Sequence, residues 1–225
     1  MRGKFITFEG GEGTGKSTQA ALLAHKLESL GLGVLLTREP GGSPGAEVIR
    51  HVLLSGAAKP LGPDAEAMLF AAAREDHVRC TIEPALAAGK WVICDRFADS
   101  TRVYQGELGH VDRRLIKGLE RVSIGDLSPD HTLVLDVPVD VALERLAARR
   151  GDAAPDRFEA EDTAFHEKLR QAFLALAAAE PARCAVIDAS VPRMEVARDI
   201  WATVQSRLDP ATAPVSLAPS DNLVS

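Results

Sequence analysis

The sequence predicts an α/β fold in which a five-stranded parallel sheet is covered by helices on both faces. Three observations predict it. Short apolar runs alternate with segments of helical periodicity along most of the 225 residues. A glycine-rich octapeptide joins the first apolar run to the first helical segment. The residues able to do chemistry gather where the apolar runs end, the edge at which open parallel sheets bind ligands.

Each element follows in order. Residues 4–9 (KFITFE) form a short buried strand, 10–15 a glycine-rich loop, and 16–30 a helix with Ala20, Leu23 and Leu27 on one side, stopped by Gly31. Residues 34–37 form the second strand and 38–44 a turn-rich loop. Helices fill 45–54 and 64–88, the latter closed by Gly89. Residues 91–94 are the third strand, 95–109 a loop with a polar face, 112–122 a helix, 132–136 the fourth strand and 139–149 a helix. Small polar residues break the pattern at 151–155. Helical spacing of Phe165, Leu169, Phe173 and Leu176 marks 159–179. A fifth strand at 185–188 and a last helix at 196–208 complete one domain, residues 1–208. Residues 209–225 lack periodicity and read as a disordered tail.

Composition narrows the function. Lys and Arg number 26 against 32 Asp and Glu, a formal net charge of −6. That balance argues against a nucleic-acid partner, which calls for a basic surplus. Hydrophobic residues make up 46%, so a core needs no staple. Cys80, Cys94 and Cys184 lack metal spacing and read as buried, reduced thiols. No apolar run approaches the roughly 20 residues of a membrane span, and the N-terminus has no signal-like apolar region. The expectation is a cytoplasmic protein with no membrane contact.

The octapeptide Gly10-Gly11-Glu12-Gly13-Thr14-Gly15-Lys16-Ser17 fits G-x-x-x-x-G-K-[ST] in full, with a strand before it and a helix after it. Its glycines let backbone N–H groups turn inward around a polyphosphate, and the helix N-terminus adds its dipole. Together with Thr18 these residues form the expected ATP site, Lys16 reaching the β- and γ-phosphates. Ser17 is placed to ligate Mg²⁺. The second magnesium ligand is a strand-end carboxylate, of which there are three: Asp95, Asp136 and Asp188. Asp95 is preferred because Arg96 follows it and adds a phosphate contact at the same strand end. Arg38, after the second strand, suits bidentate contact with an acceptor phosphate.

At this point the chain resembles the thymidylate kinases. The segments FEGGEGTGKST, TREPGG, LFAAAR with His77 after it, Asp95 to Gly106 (DRFADSTRVYQG) and LDVP fall in that family's order and spacing across about residues 3–208. The resemblance implies a P-loop nucleoside monophosphate kinase fold with a small lid and a homodimer. It implies transfer of a phosphoryl group from ATP to thymidylate with Mg²⁺, in dTTP biosynthesis. It also implies roles for individual residues. Glu12 contacts the acceptor sugar's 3′-hydroxyl and Phe70 stacks on thymine. Arg74, one turn after Phe70, reaches the base edge, and Arg96 grips the acceptor phosphate. Ser100 and Thr101 lie near the base, Tyr104 lies under the sugar, and Gln105 is close by.

Some family members carry a catalytic arginine inside the P-loop and others in the lid. Here the P-loop position is Gly13, so the chain resembles the second, bacterial-like group. Its lid spans about residues 149–158, with Arg150 and Arg157 as the catalytic arginines and Arg145 and Arg149 as secondary candidates near the adenine. Phe97 stands where the family often has tyrosine. The alternatives are a deoxynucleoside kinase, another monophosphate kinase, and a nucleotide-gated switch. The TREPGG loop supplies an anion site that a nucleoside acceptor does not use. The guanine-reading N-K-x-D that a switch normally carries is absent.

Overall fold

The computed structural model describes residues 2–150 and 158–210, with Arg150 described by its backbone alone. Five strands, β1 (Phe5–Glu9), β2 (Val34–Arg38), β3 (Trp91–Asp95), β4 (His131–Asp136) and β5 (Cys184–Asp188), form one sheet of order β2-β3-β1-β4-β5. Every pairing is parallel. The nine α-helices among the described residues are α1 (Lys16–Glu28), α2 (Pro44–Leu54), α3 (Pro63–His77), α4 (Glu83–Ala87), α5 (Ala98–Thr101), α6 (Arg113–Ile124), α7 (Val139–Arg150), α8 (Thr163–Ala179) and α9 (Arg193–Leu208).

Alternation along the strands sorts side chains between two layers. Ile6, Phe8, Ile93, Leu133 and Leu135 point to one face, where Leu23 and Leu27 of α1 and Val196, Ile200 and Val204 of α9 cover them. On the other face Phe5, Val92 and Cys94 meet Val78, Ile82, Leu86 and Phe97, while Val134 meets Leu169 and Phe173 of α8. Phe97 is buried, its ring edge-on to Phe5 at 4.9 Å between centroids. A hydroxyl there would need a partner inside an apolar cluster, which accounts for phenylalanine at this position.

Four expectations are corrected. The segment 95–109, read as a loop, is helical: α5 runs on into a π-helical turn, Arg102–Leu108. The helix expected over 64–88 is interrupted by a second π-helical turn, Val78–Ile82, between α3 and α4. Cys80 is exposed, whereas Cys94 and Cys184 are buried, and all three are free thiols. The turn Val78–Ile82 rotates Cys80 outward while Val78 and Ile82 keep the core contact. The helix expected from residue 159 starts later, at Thr163, because the Asp162 carboxylate caps the Phe165 N–H at 2.7 Å. The expected lid residues 151–157 and tail residues 211–225 lie outside the described part.

Candidate active site

The carboxyl ends of β1, β2 and β3 open into a cleft of about 520 Å³. Its floor is the loop after β1. Gly10, Gly13 and Gly15 hold φ of 129°, 74° and 91°, the left-handed region that glycine tolerates without a Cβ penalty. Two of them also lack room. A Cβ on Gly10 would lie 2.6 Å from the Leu135 carbonyl oxygen, and one on Gly13 would lie 2.3 Å from that of Ala142 in α7. The loop then enters α1, whose first residue is Lys16. Its ammonium donates to the Gly11 carbonyl at 2.5 Å. Burial pulls the Lys16 pKa down to about 8, with the Arg96 charge adding to the shift.

The end of β3 supplies the second half. The Ser17 hydroxyl donates to the Asp95 carboxylate, so the two expected magnesium ligands touch. Arg96 follows at φ 71°, a left-handed conformation that costs a non-glycine residue about 1–2 kcal/mol. Its amide donates to the Phe8 carbonyl at 2.9 Å. The guanidinium donates to the Gly10 carbonyl at 3.1 Å, to Ser100 Oγ at 3.2 Å and to Glu12 Oε1 at 2.7 Å. Tyr104 donates its hydroxyl to the same Glu12 oxygen at 2.8 Å, with Arg96 over the Tyr104 ring. Burial alone would raise the Glu12 pKa. The Arg96 and Lys16 charges and the Tyr104 bond outweigh it and hold the carboxyl at about 2.

The remaining wall comes from α3 and the loop after β2. Arg74 is buried, yet it lines the cleft. It donates through Nε to Glu39 Oε2 at 2.8 Å, and through Nη2 to the Phe97 carbonyl at 3.1 Å and Thr101 Oγ1 at 3.0 Å. Glu39 is held in turn by His77, whose other ring nitrogen meets Thr37 Oγ1 at 2.7 Å. Phe70, Arg38 and Gln105 line the same cleft, and Arg38 pairs with Glu47 at 3.0 Å.

Of the expected site residues, Glu12, Gly13, Gly15, Lys16, Ser17, Thr18, Arg38, Phe70, Arg74, Asp95, Arg96, Ser100, Thr101, Tyr104 and Gln105 all line this one cleft. Gly10, Gly11 and Thr14 form the back of the loop instead and line a small cavity behind it. The Arg150 side chain and Arg157 lie outside the described residues. Arg145 and Arg149 of α7 also border the cleft, Arg145 donating to the Ala189 carbonyl at 2.8 Å and Arg149 pairing with Glu159. Of the other strand-end aspartates, Asp136 binds Arg170 at 2.7 and 2.9 Å, and Asp188 accepts from the Ser190 amide and hydroxyl at 2.9 and 2.5 Å.

Three residues at the site fall outside the set expected from the sequence. Arg50 of α2 lines the cleft and donates to the Pro40 carbonyl at 2.5 Å. Glu39 anchors Arg74. Glu9, at the end of β1, accepts from the Phe97 amide at 2.8 Å and the Ser100 hydroxyl at 2.6 Å. A carboxylate closing an apolar strand was the available signal for Glu9. Arg50 carried none, because an arginine on an amphipathic helix reads as solvated.

A family model described as thymidylate kinase matches residues 8–200. A thymidylate kinase of Nitrobacter winogradskyi is 62% identical over 207 residues, covering 92% of this chain and 90% of that protein. One of Bradyrhizobium diazoefficiens is 59% identical over 214 residues, covering 95% and 94%. Among solved structures, thymidylate kinase from Ehrlichia chaffeensis superposes with a TM-score of 0.73 at 34% identity, covering 91% of this chain and all of that one.

Proposed function

The chain belongs to the thymidylate kinase family and transfers the γ-phosphoryl group of ATP to thymidylate, and on that premise we propose how the cleft residues divide the reaction. The observation that carries the proposal is the convergence of two cations on one turn of backbone. Arg96 donates to the Gly10 carbonyl and Lys16 to the Gly11 carbonyl. A phosphoryl group passing between two polyanions needs positive charge at the point of transfer, already in place. Lys16 takes the β- and γ-phosphate side, with the P-loop amides around the chain of phosphates. Arg96 takes the acceptor phosphate, and Arg38 and Arg50 reinforce it from the β2 side. Phe70 stacks on thymine, Arg74 reads its edge, and Glu12 receives the sugar hydroxyl beside Tyr104.

Ser17 and Asp95 are hard oxygen donors already in contact, a set that fits Mg²⁺. No cluster of three or more metal-ligating side chains occurs among the described residues. That suits an ion bound through one or two protein oxygens plus phosphate and water. When bound, Mg²⁺ neutralises charge on the β- and γ-oxygens. The acceptor is a phosphate oxygen already anionic near neutral pH, so no catalytic base is needed. A deoxynucleoside kinase does need one, and both nearby carboxylates are engaged, Glu9 with Phe97 and Ser100 and Asp95 with Ser17.

Arg150 and Arg157 are assigned as the lid arginines that join the transferred group on closure. A homodimer is supported by exposed apolar side chains on α2 and α3, namely Val48, Val52 and Met68. A cytoplasmic location is supported by the three free thiols; no helix of the described residues is long and apolar enough to cross a membrane.

The test is ADP release with ATP and Mg²⁺ against thymidylate, deoxyuridylate, uridylate, adenylate, guanylate and thymidine, together with Lys16→Ala. Turnover is expected with thymidylate, with little from uridylate or thymidine, and Lys16→Ala is expected to abolish it. Near-normal turnover by Lys16→Ala would remove Lys16 from the chemistry.

A further inference from the structure

Sheet strands buried on both faces ordinarily carry only apolar side chains. Here one face of the sheet carries Thr7, Glu9 and Thr132, all fully buried. Each has a partner, and two of them lead away from the cleft. Thr7 Oγ1 meets Thr132 Oγ1 at 2.7 Å, and Thr132 Oγ1 accepts from Arg183 Nη1 at 2.6 Å. Arg183 sits just before β5 and lies outside the cleft lining. It grips Asp99 as a fork, Nη1 to Oδ2 at 2.7 Å and Nη2 to Oδ1 at 3.1 Å. Arg102 adds a contact to Asp99 Oδ1 at 3.2 Å and is fixed by Glu120 of α6 and by Glu180.

Asp99 belongs to α5, which with the π-helical turn Arg102–Leu108 makes one short helical segment. Isolated helices shorter than about 12–15 residues are marginal in water, so its placement is imposed from outside. The residues beside Asp99 face the acceptor. Ser100 Oγ accepts from Arg96 and donates to Glu9, and Thr101 Oγ1 accepts from Arg74. Asp99 itself does not line the cleft.

We propose that the Asp99–Arg183 pair is a positioning device that fixes α5 against the sheet and thereby aims Arg96 and Arg74 at the acceptor nucleotide. This rests on the reading that those two arginines hold thymidylate. Bidentate arginine–carboxylate geometry carries direction as well as charge. Loss of that geometry lets α5 rotate and moves two guanidinium groups at once. ATP, held by the P-loop and α1, is not touched by it.

Asp99→Asn and Arg183→Lys test the proposal. The second keeps the buried charge opposite Asp99 while losing the fork, so it folds even where the first does not. Both are expected to raise the acceptor KM about tenfold and to lower kcat, with the ATP KM within twofold of wild type. Glu180→Gln, which trims the exposed arm of the network, is expected to leave all three constants unchanged. Rates are normalised to the fraction of protein that binds ATP. A fall in Tm with unchanged constants, or an ATP KM rising in step with the acceptor KM, would overturn the proposal by making the pair structural only. Arg96→Ala separates this from its premise. If Arg96→Ala leaves acceptor kinetics unchanged, the reading of the acceptor site has failed; if Arg96→Ala is impaired and Arg183→Lys is not, only the positioning role has.

Discussion

Glu9 and Glu12 are three positions apart and carry opposite chemistry. Burial, helped by the Asp99 charge, pushes Glu9 up to about 8, whereas Arg96 and Lys16 hold Glu12 at about 2. Burial thus favours the neutral form of Glu9, which serves as a hydrogen-bonding peg for α5, while Glu12 is held as a negative charge that keeps Arg96 oriented. Side-chain identity gave no hint of this split, because it depends on which cations the fold brings near each carboxylate. Phe70 shows the opposite case, since its motif was readable and its place in the cleft agrees. Stacking on an aromatic face is worth about 1–3 kcal/mol. Phe70→Ala is therefore expected to raise the acceptor KM by about tenfold or more, and steady-state titration of each substrate should find the ATP KM nearly unchanged. An unaltered acceptor KM would return Phe70 to a packing role.

Among the elements, the strands were legible as short apolar runs between turn residues and the long helices by their period of 3.6. The segment 95–109 was not, and the reason is physical. DRFADSTRVYQG is mostly polar, a poor helix by local preference, and α5 exists because Glu9, Arg74 and Arg183 hold Ser100, Thr101 and Asp99. The π-helical turn Val78–Ile82 was equally hidden, since its core residues Val78 and Ile82 stand four apart, the spacing of an ordinary α-helix. Another contact between elements is made by Asp76 of α3. It caps α2 from across the helix pair, accepting from Ser43 Oγ at 2.7 Å and from the Gly45 and Ala46 amides at 2.9 and 3.2 Å. Those amides are orphan donors of a helix N-terminus. Asp76→Ala should destabilise the protein by about 1–2 kcal/mol, seen as a lower urea midpoint with an unchanged slope. A midpoint within error of wild type would mean that water replaces the cap.

For the whole molecule, the sheet order sends the ends of β1, β2 and β3 to one edge, and most of the expected site residues meet there. Strand-end position made the P-loop, Arg38, Asp95 and Arg96 legible, whereas Phe70, Arg74, Ser100, Thr101, Tyr104 and Gln105 came from the family resemblance. The Asp99–Arg183 network was not legible, because Arg183 lies 84 positions from its partner and reads singly as a solvated turn residue. The paired carboxylates also predict how global stability follows pH. A carboxyl whose pKa is raised on folding contributes stability that is full below the unfolded value and lost as pH climbs through the folded one. For Glu9 that loss falls between 4.5 and about 8. Glu12 acts in the other direction, its contribution disappearing as pH drops from 4.5 through about 2. Glu9→Gln, which keeps the neutral form, is expected to flatten the decline in Tm between pH 5 and pH 8. A decline as steep as wild type would show that other groups set it.

The contact between Gly13 and α7 limits what this loop can carry. Any side chain at position 13 begins with a Cβ 2.3 Å from the Ala142 carbonyl oxygen, at a φ of 74°. The obstacle is backbone, so a side chain there requires α7 to shift. The loop and α7 are therefore mechanically coupled: in this chain a positive charge cannot be added at position 13 without moving the helix that leads to residue 150.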